Sequence, residues 1–128
     1  MPAARKQILI VEDNEVVIEV LRDFLSEGYD VDAVQNAEAA LETIQATAPD
    51  AILMDVRMPG TDGLTLLASL RKLGFTAPIF VMTGYDSPET AERAKRSGAT
   101  GYLVKPVDLR KLDALIGGAL KTPPLLGR

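Results

Sequence analysis

The chain of 128 residues contains no cysteine and no histidine. Without cysteine there is no disulfide framework, no thiolate nucleophile and no Cys-based zinc site. Without histidine, the usual general base near neutral pH and the commonest metal ligand are both missing. Chemistry on this chain therefore runs on carboxylates, lysine, hydroxyls or a bound cation. Long apolar runs are also lacking: none approaches the roughly 20 residues that a membrane span requires. The opening Met1-Pro2-Ala3-Ala4-Arg5-Lys6 has no separate apolar signal region. Positive charge is in deficit, with 14 Lys and Arg against 18 Asp and Glu, a net charge of -4 and a pI near 4.8. That balance disfavours nucleic-acid binding, which needs a basic footprint. These absences lead us to expect a soluble, cytoplasmic protein with neither membrane nor nucleic acid as a partner.

What is present is an ordinary globular composition, 47% hydrophobic, at a length that suits one domain with a core of its own. Apolar runs alternate with helical patterns. The first strand is expected at about Gln7 to Glu12. Val17, Leu21, Phe24 and Leu25 then recur at helical spacing, with Gly28 as the stop. Asp30 to Val34 carries alternating charges and predicts a half-exposed edge strand. Asn36 caps a second helix, anchored by Leu41, Ile44 and Ala48 and ended by Pro49. Ala51 to Met54 is a third strand, and a loop with Pro59-Gly60 follows. Gly63 to Leu73 is a third helix with Leu64, Leu67 and Leu70 inward. Pro78 opens a fourth strand running to Thr83, and Ser87-Pro88 starts a fourth helix that Gly98 ends. Gly101 to Val104 is the fifth strand. Leu109, Leu112, Leu115, Ile116 and Ala119 form the face of a last helix, which Thr122-Pro123-Pro124 breaks. Alternation of this kind predicts an α/β doubly wound fold, a parallel sheet with right-handed crossovers and helices on both faces. Ligands of such sheets bind beyond the carboxyl ends of the strands, where the strand order reverses.

Those ends carry the chemistry. Glu12 and Asp13 follow the first run, Asp55 the third, Thr83 closes the fourth and Lys105 follows the fifth. Taken singly, each has an ordinary explanation as a turn residue or helix cap. Together, in order, at four strand ends, they make a site. Two unit charges about 5 Å apart repel by roughly 3 kcal/mol at an effective dielectric of about 20, so three clustered carboxylates call for a neutralising cation. Mg²⁺ suits an all-oxygen set that leaves room for water and phosphate oxygens. A carboxylate attacking phosphorus gives an aspartyl phosphate, and Lys105, the Thr83 hydroxyl and the cation would then balance the phosphoryl oxygens.

The segments Ile8-Leu9-Ile10-Val11-Glu12-Asp13-Asn14, Leu53 to Gly63, Val81-Met82-Thr83-Gly84 and Gly98 to Pro106 together resemble the receiver domain of two-component response regulators. The resemblance covers the chain to about Leu120 and implies a (βα)5 flavodoxin-like three-layer sandwich with parallel strand order 2-1-3-4-5. It implies that Asp55 accepts phosphate from a histidine kinase or a histidine phosphotransfer protein. It also implies that Glu12, Asp13, Asp55 and the backbone carbonyl of Arg57 hold Mg²⁺, and that Thr83 and Lys105 engage the phosphoryl group. Tyr102 matches an aromatic switch position, and Arg57 and Tyr85 match positions that modulate phosphate lifetime. Lys105-Pro106 matches a cis peptide bond. By the same resemblance, the fourth helix, fifth strand and last helix form the face that reads out phosphorylation, toward an effector domain, a protein partner or a phosphorylation-dependent homodimer. Catalysis would be limited to self-phosphorylation and autodephosphorylation, so the protein would not be an enzyme in the usual sense.

The expected domain is residues 1–121, with 122–128 a tail or the start of a linker. The shortness of that tail favours a stand-alone regulator over a fragment of a larger one. Two other readings fit the residues less well. A flavodoxin-like nucleotide or flavin binder needs a phosphate cradle after the first strand, where this chain has Glu12-Asp13-Asn14-Glu15. A metal-dependent phosphatase with an aspartyl-phosphate intermediate commonly has a general-acid Asp two positions after its nucleophile, where this chain has Arg57.

Overall fold

The computed structural model describes residues 5–58 and 60–126. Pro59 of the expected Pro59-Gly60 loop, Met1 to Ala4 and the last two residues of the expected 122–128 tail lie outside them. Among the described residues, five strands form one parallel sheet: β1 (Gln7–Val11), β2 (Asp30–Val34), β3 (Ala51–Asp55), β4 (Ile79–Thr83) and β5 (Gly101–Val104). Their order is β2-β1-β3-β4-β5, as the resemblance implies, and every pairing within the sheet is parallel, as the alternation predicts. Five helices connect and follow the strands: α1 (Glu15–Leu25), α2 (Ala37–Thr47), α3 (Gly63–Lys72), α4 (Pro88–Ser97) and α5 (Leu109–Leu120). None of them is long and apolar enough to cross a membrane.

Side chains alternate across a strand, and the core divides accordingly. Ile8 and Ile10 of β1 face α1 and α5, packing with Leu21, Phe24, Phe80, Leu112 and Ile116. Leu9 and Val11 face the other way, into a cluster with Ala40 and Ile44 of α2, Leu64 and Leu67 of α3, and Ala94 of α4. β3 and β4 are buried along their whole length, as strands covered on both faces must be. β2 is the half-exposed edge.

Helix starts follow side-chain chemistry. Asn14, Asn36, Asp62, Ser87 and Asp108 each accept backbone N–H groups at a helix start. Of these, Asn36 and Ser87 are as expected. Several expected details are corrected. The first strand ends at Val11 rather than Glu12, and the third takes in Asp55. Gly28 does not stop α1: the helix ends at Leu25, and the Ser26 amide donates to the carbonyl of Arg22. Gly28 is instead a packing position, where a Cβ would come within 2.5 Å of Leu125. Ala48 is an exposed cap in the left-handed region (φ 47°), and Ala40 is the buried alanine of α2. Ala119 is likewise exposed. The segment after β3 is more than a loop: Arg57–Met58 pairs antiparallel with Thr61–Asp62 in a short hairpin.

That hairpin leads straight into α3, and the return is tight. A Cβ on Gly63 would stand 2.1 Å from the Asp55 carbonyl oxygen and 3.0 Å from the Val56 Cα. Backbone cannot yield as a flexible side chain can. Gly63→Ala is therefore expected to lose about 3 kcal/mol of unfolding free energy in urea denaturation. Gly118→Ala, in a helix interior with nothing within 4 Å, should gain about 0.5–1 kcal/mol. Equal effects of the two substitutions would contradict the close approach.

Candidate functional site

The register of the sheet aligns the strand ends. Val11 pairs with Met54, Asp55 with Met82, and Thr83 with Val104. Backbone bonds continue this alignment one residue further: Glu12 N–H donates to Val34 O at 3.0 Å, Val56 N–H to Met82 O at 2.9 Å, and Lys105 N–H to Thr83 O at 2.7 Å. The polar groups that follow the apolar runs thus share one edge, at the β1/β3 reversal of strand order.

Glu12, Asp13 and Asp55 each bring a carboxylate oxygen within 4.8 Å of the others. Glu12 is fully buried and Asp55 is 6% exposed, whereas Asp13 faces solvent. Lys105 is the counter-charge. Its Nζ donates to Glu12 Oε1 and lies 3.4 Å from Asp55 Oδ1. The Asn14 amide donates to Glu12 Oε2 at 3.1 Å, and the Arg57 amide to Asp55 Oδ1 at 3.3 Å. The two buried carboxylates thus share one ammonium, with Asp13 beside them. Burial pushes the Glu12 pKa up, and the charge of Asp55 adds to it. The bonds from Lys105 and Asn14 oppose the rise without cancelling it. For Lys105, burial acts to lower the pKa, but the bond to Glu12 and the charges of Asp55 and Glu12 outweigh it, so the net direction is up. The two directions are compatible. Glu12 is the wholly buried member, so desolvation decides its case, whereas the Lys105 side chain keeps some exposure and follows its partners' charges.

Thr83 is buried, and its hydroxyl is engaged with the turn into α4. Oγ1 accepts from the Tyr85 amide at 3.0 Å and donates to the Tyr85 carbonyl at 3.2 Å. Tyr85 itself is exposed. Tyr102 is half-buried on β5 and is not part of the carboxylate cluster. Its hydroxyl donates to Asp86 Oδ1 at 3.2 Å, and burial together with that carboxylate pushes its pKa up. The Arg57 side chain faces solvent beside the hairpin. The Lys105-Pro106 peptide is cis. Glu12, Asp13, Asp55 and Lys105 are therefore brought together, Thr83 stands at the adjoining strand end, and Tyr102 and Tyr85 lie on the periphery.

Three participants escaped sequence reasoning. Asp86 holds the Tyr102 hydroxyl, Asp62 caps α3 and bonds to Arg93, and Gly63 allows the close return. Asp62-Gly63 before a helical run was a legible cap signal. The partners of Asp86 and Arg93 depend on tertiary placement and left no signal.

Comparison with known proteins agrees with this fold. The family model "Response regulator receiver domain" matches residues 8–117. The chain is 37% identical over 119 residues to Regulatory protein AtoC of Escherichia coli (strain K12), covering 92% of this chain and 26% of AtoC. It is 40% identical over 116 residues to Response regulator MprA of Mycolicibacterium vanbaalenii, covering 90% of this chain and 50% of MprA. Among solved structures, a two-component response regulator from Clostridium difficile superposes with a TM-score of 0.87 at 30% identity, covering 91% of this chain and 97% of that one. A putative response regulator from Chloroflexus aurantiacus superposes with a TM-score of 0.86 at 33% identity, covering 93% and 99%. The chain belongs to the response regulator receiver domain family of two-component systems. It spans about half the length of MprA and about a quarter of AtoC.

Lys105 is thus expected to be a stability determinant with a pH signature. A carboxyl whose folded pKa lies above its unfolded value keeps its proton longer when folded. Its contribution favours folding at low pH and weakens as pH rises from the unfolded value, here near 4.5, to the raised one. Lys105→Met removes the group that opposes this rise. The variant should be less stable than wild type by about 1–3 kcal/mol at pH 7, in the range for stripping the partner from a buried charge. That deficit should shrink at pH 5 as Glu12 takes up a proton. Urea denaturation of both proteins at the two pH values checks this, and a deficit independent of pH would refute it.

Proposed function

We propose that Asp55 is a reversible phosphate carrier, charged by a histidine kinase or a histidine phosphotransfer protein. The carrying observation is the set of three convergent carboxylates, two of them buried, with Lys105 against both buried members. The donor set is all oxygen, which suits Mg²⁺ and excludes the softer metals that prefer sulfur or imidazole. Glu12, Asp13 and Asp55 would hold the ion with the Arg57 backbone carbonyl. When bound, it supplies charge neutralisation for the phosphoryl oxygens.

The chain's own groups do the rest. An Asp55 oxygen forms a P–O bond as the donor's P–N bond breaks, and the departing imidazole keeps the electron pair. Lys105 gives up part of its hold on Asp55 to meet the incoming oxygens. Glu12 stays ionised through the Lys105 and Asn14 bonds and anchors the lysine. Thr83 must exchange its bonds with the Tyr85 backbone for one to a phosphoryl oxygen. Tyr102 can follow only by leaving Asp86, which couples the added charge to the face formed by α4, β5 and α5. Arg57 and Tyr85 flank the site and modulate access of water, and so the lifetime of the phosphoryl group. Turnover is limited to self-phosphorylation and autodephosphorylation. The cytoplasm is the expected location. Residues 1–121 are the receiver unit, and an effector domain, a separate protein or a second copy is the partner of the output face. Neither a flavodoxin-like binder nor a metal-dependent phosphatase is favoured, since Glu12-Asp13-Asn14-Glu15 stands where the former needs a phosphate cradle and Arg57 where the latter commonly carries an acid.

Incubation with acetyl phosphate and Mg²⁺, followed by intact mass measurement, tests the assignment. A phosphate-sized gain is expected, lost in Asp55→Asn and lost with EDTA. A gain that persists in Asp55→Asn would contradict it.

A further inference from the structure

α4 is held less firmly than its neighbour. Only Ala94 of α4 is buried, whereas α3 buries Gly63, Leu64, Leu66, Leu67 and Leu70. Apolar burial gives α4 little grip, so polar ties decide where it lies. Two arginines make those ties, both between α3 and α4. Arg71, in the last turn of α3, donates from Nε to the carbonyl of Gly98, the cap of α4, at 3.0 Å. Its Nη1 donates to Phe75 O and Ala77 O, both at 2.8 Å. The clasp is half-buried and closely fitted: a Cβ on Gly98 would stand 2.8 Å from Arg71 Cγ.

The second tie is at the other end of α3. Asp62 Oδ1 accepts from Leu64 N–H at 2.9 Å as the cap, and Oδ2 accepts from Arg93 Nη2 at 2.9 Å. Its side chains are 38% and 56% exposed. Among the described residues, the other ion pairs are the two made by Lys105 and one within α4. The Arg93–Asp62 pair lines a cleft of about 530 Å³ together with Arg57, Thr83, Tyr85 and Thr90. The residue after Asp62 is Gly63, packed on the Asp55 carbonyl.

We propose that α4 is a hinged helix, pinned at Gly98 by Arg71 and latched from its middle by Arg93 to Asp62 at the site end of α3, with Arg93 as the positioning residue that sets its resting place. The proposal rests on the reading of Asp55 as phosphoacceptor. The two ties differ in the way a hinge and a latch must. Loss of Arg71 strands three carbonyls that it now satisfies. An exposed ion pair is weak and screened by salt, so it can open without unfolding anything. Thr83 and Tyr85 share the cleft with the latch, so a shift of the β4–α4 turn acts on the same space that the pair spans. A weak tie suits an equilibrium that a single phosphoryl group must reverse.

Amide correlation spectra of the unphosphorylated protein at low salt test this, using Arg93→Gln, Asp62→Asn and the double variant. Asn keeps the cap oxygen and removes the charge. Each single variant should move the resonances of 89–97 in one common direction, toward their positions in the phosphorylated protein. The shift should correspond to a roughly two- to five-fold change in the resting equilibrium, the range an exposed pair supports. The double variant should move them no further. Labelling by acetyl phosphate should quicken by a similar factor, while thermal midpoints stay within about 2 °C of wild type; Arg71→Gln should instead lower the midpoint. Displacements confined to residues beside each substitution, or adding up in the double variant, would overturn the latch. A wild type that takes up no phosphate would defeat the phosphoacceptor reading, while the common displacement of 89–97 would still decide the latch.

Discussion

The crowding of carboxylates at the end of β1 and β3 is the constraint on which the rest depends. Glu12 is fully buried and Asp55 nearly so, and both are reached by the one ammonium of Lys105. Such a cluster is costly to assemble without further positive charge. The parallel sheet makes the assembly unavoidable, because its register puts the residues after Val11, Met54 and Val104 on the same edge. The buried, two-faced core supplies the stability that offsets this repulsion. The site is therefore a destabilised region mounted on a well-packed scaffold, as functional sites commonly are.

Around that centre the structure becomes progressively looser. β3 and β4 are buried throughout. The hairpin of Arg57–Met58 and Thr61–Asp62 covers one side of the site, tied to it by the Arg57 amide and by Gly63. Beyond it, the Thr83 and Tyr102 hydroxyls are engaged by Tyr85 and Asp86 rather than by the carboxylates, and α4 keeps one buried residue. Added charge at Asp55 would meet groups whose present bonds are few and individually weak. On the proposed reading, this gradient of anchoring lets a local event reach the α4, β5 and α5 face.

Much of this was legible in the chain. Continuous apolar runs ending at Asp55 and Thr83 marked the central strands, the charges between Asp30 and Val34 marked an edge, and Asn36 and Ser87 marked helix starts, because each signal is local. Errors came where local signals compete with packing. Gly28 reads as a helix stop, yet it lacks a side chain because Leu125 occupies that space. Ala48 and Ala119 continue an apolar period but fall just beyond the buried stripe. The convergence of Glu12, Asp13, Asp55 and Lys105 was readable from strand ends alone. The bonds of Arg93 to Asp62 and of Tyr102 to Asp86 were not, since they join residues 31 and 16 apart in the chain through tertiary placement.

The central proposal is that this edge, with three carboxylates and a single ammonium, is an oxygen site short of positive charge that would take a divalent cation. Urea denaturation of the unphosphorylated protein across a MgCl₂ series, with ionic strength held constant by NaCl, tests it most directly. The account predicts that unfolding free energy climbs by about 1.4 kcal/mol for each tenfold rise in Mg²⁺ above its dissociation constant, and that this gain vanishes when Asp13 and Asp55 are both replaced by Asn. A wild type whose stability is unmoved by Mg²⁺, or a double variant that gains as much, would contradict it.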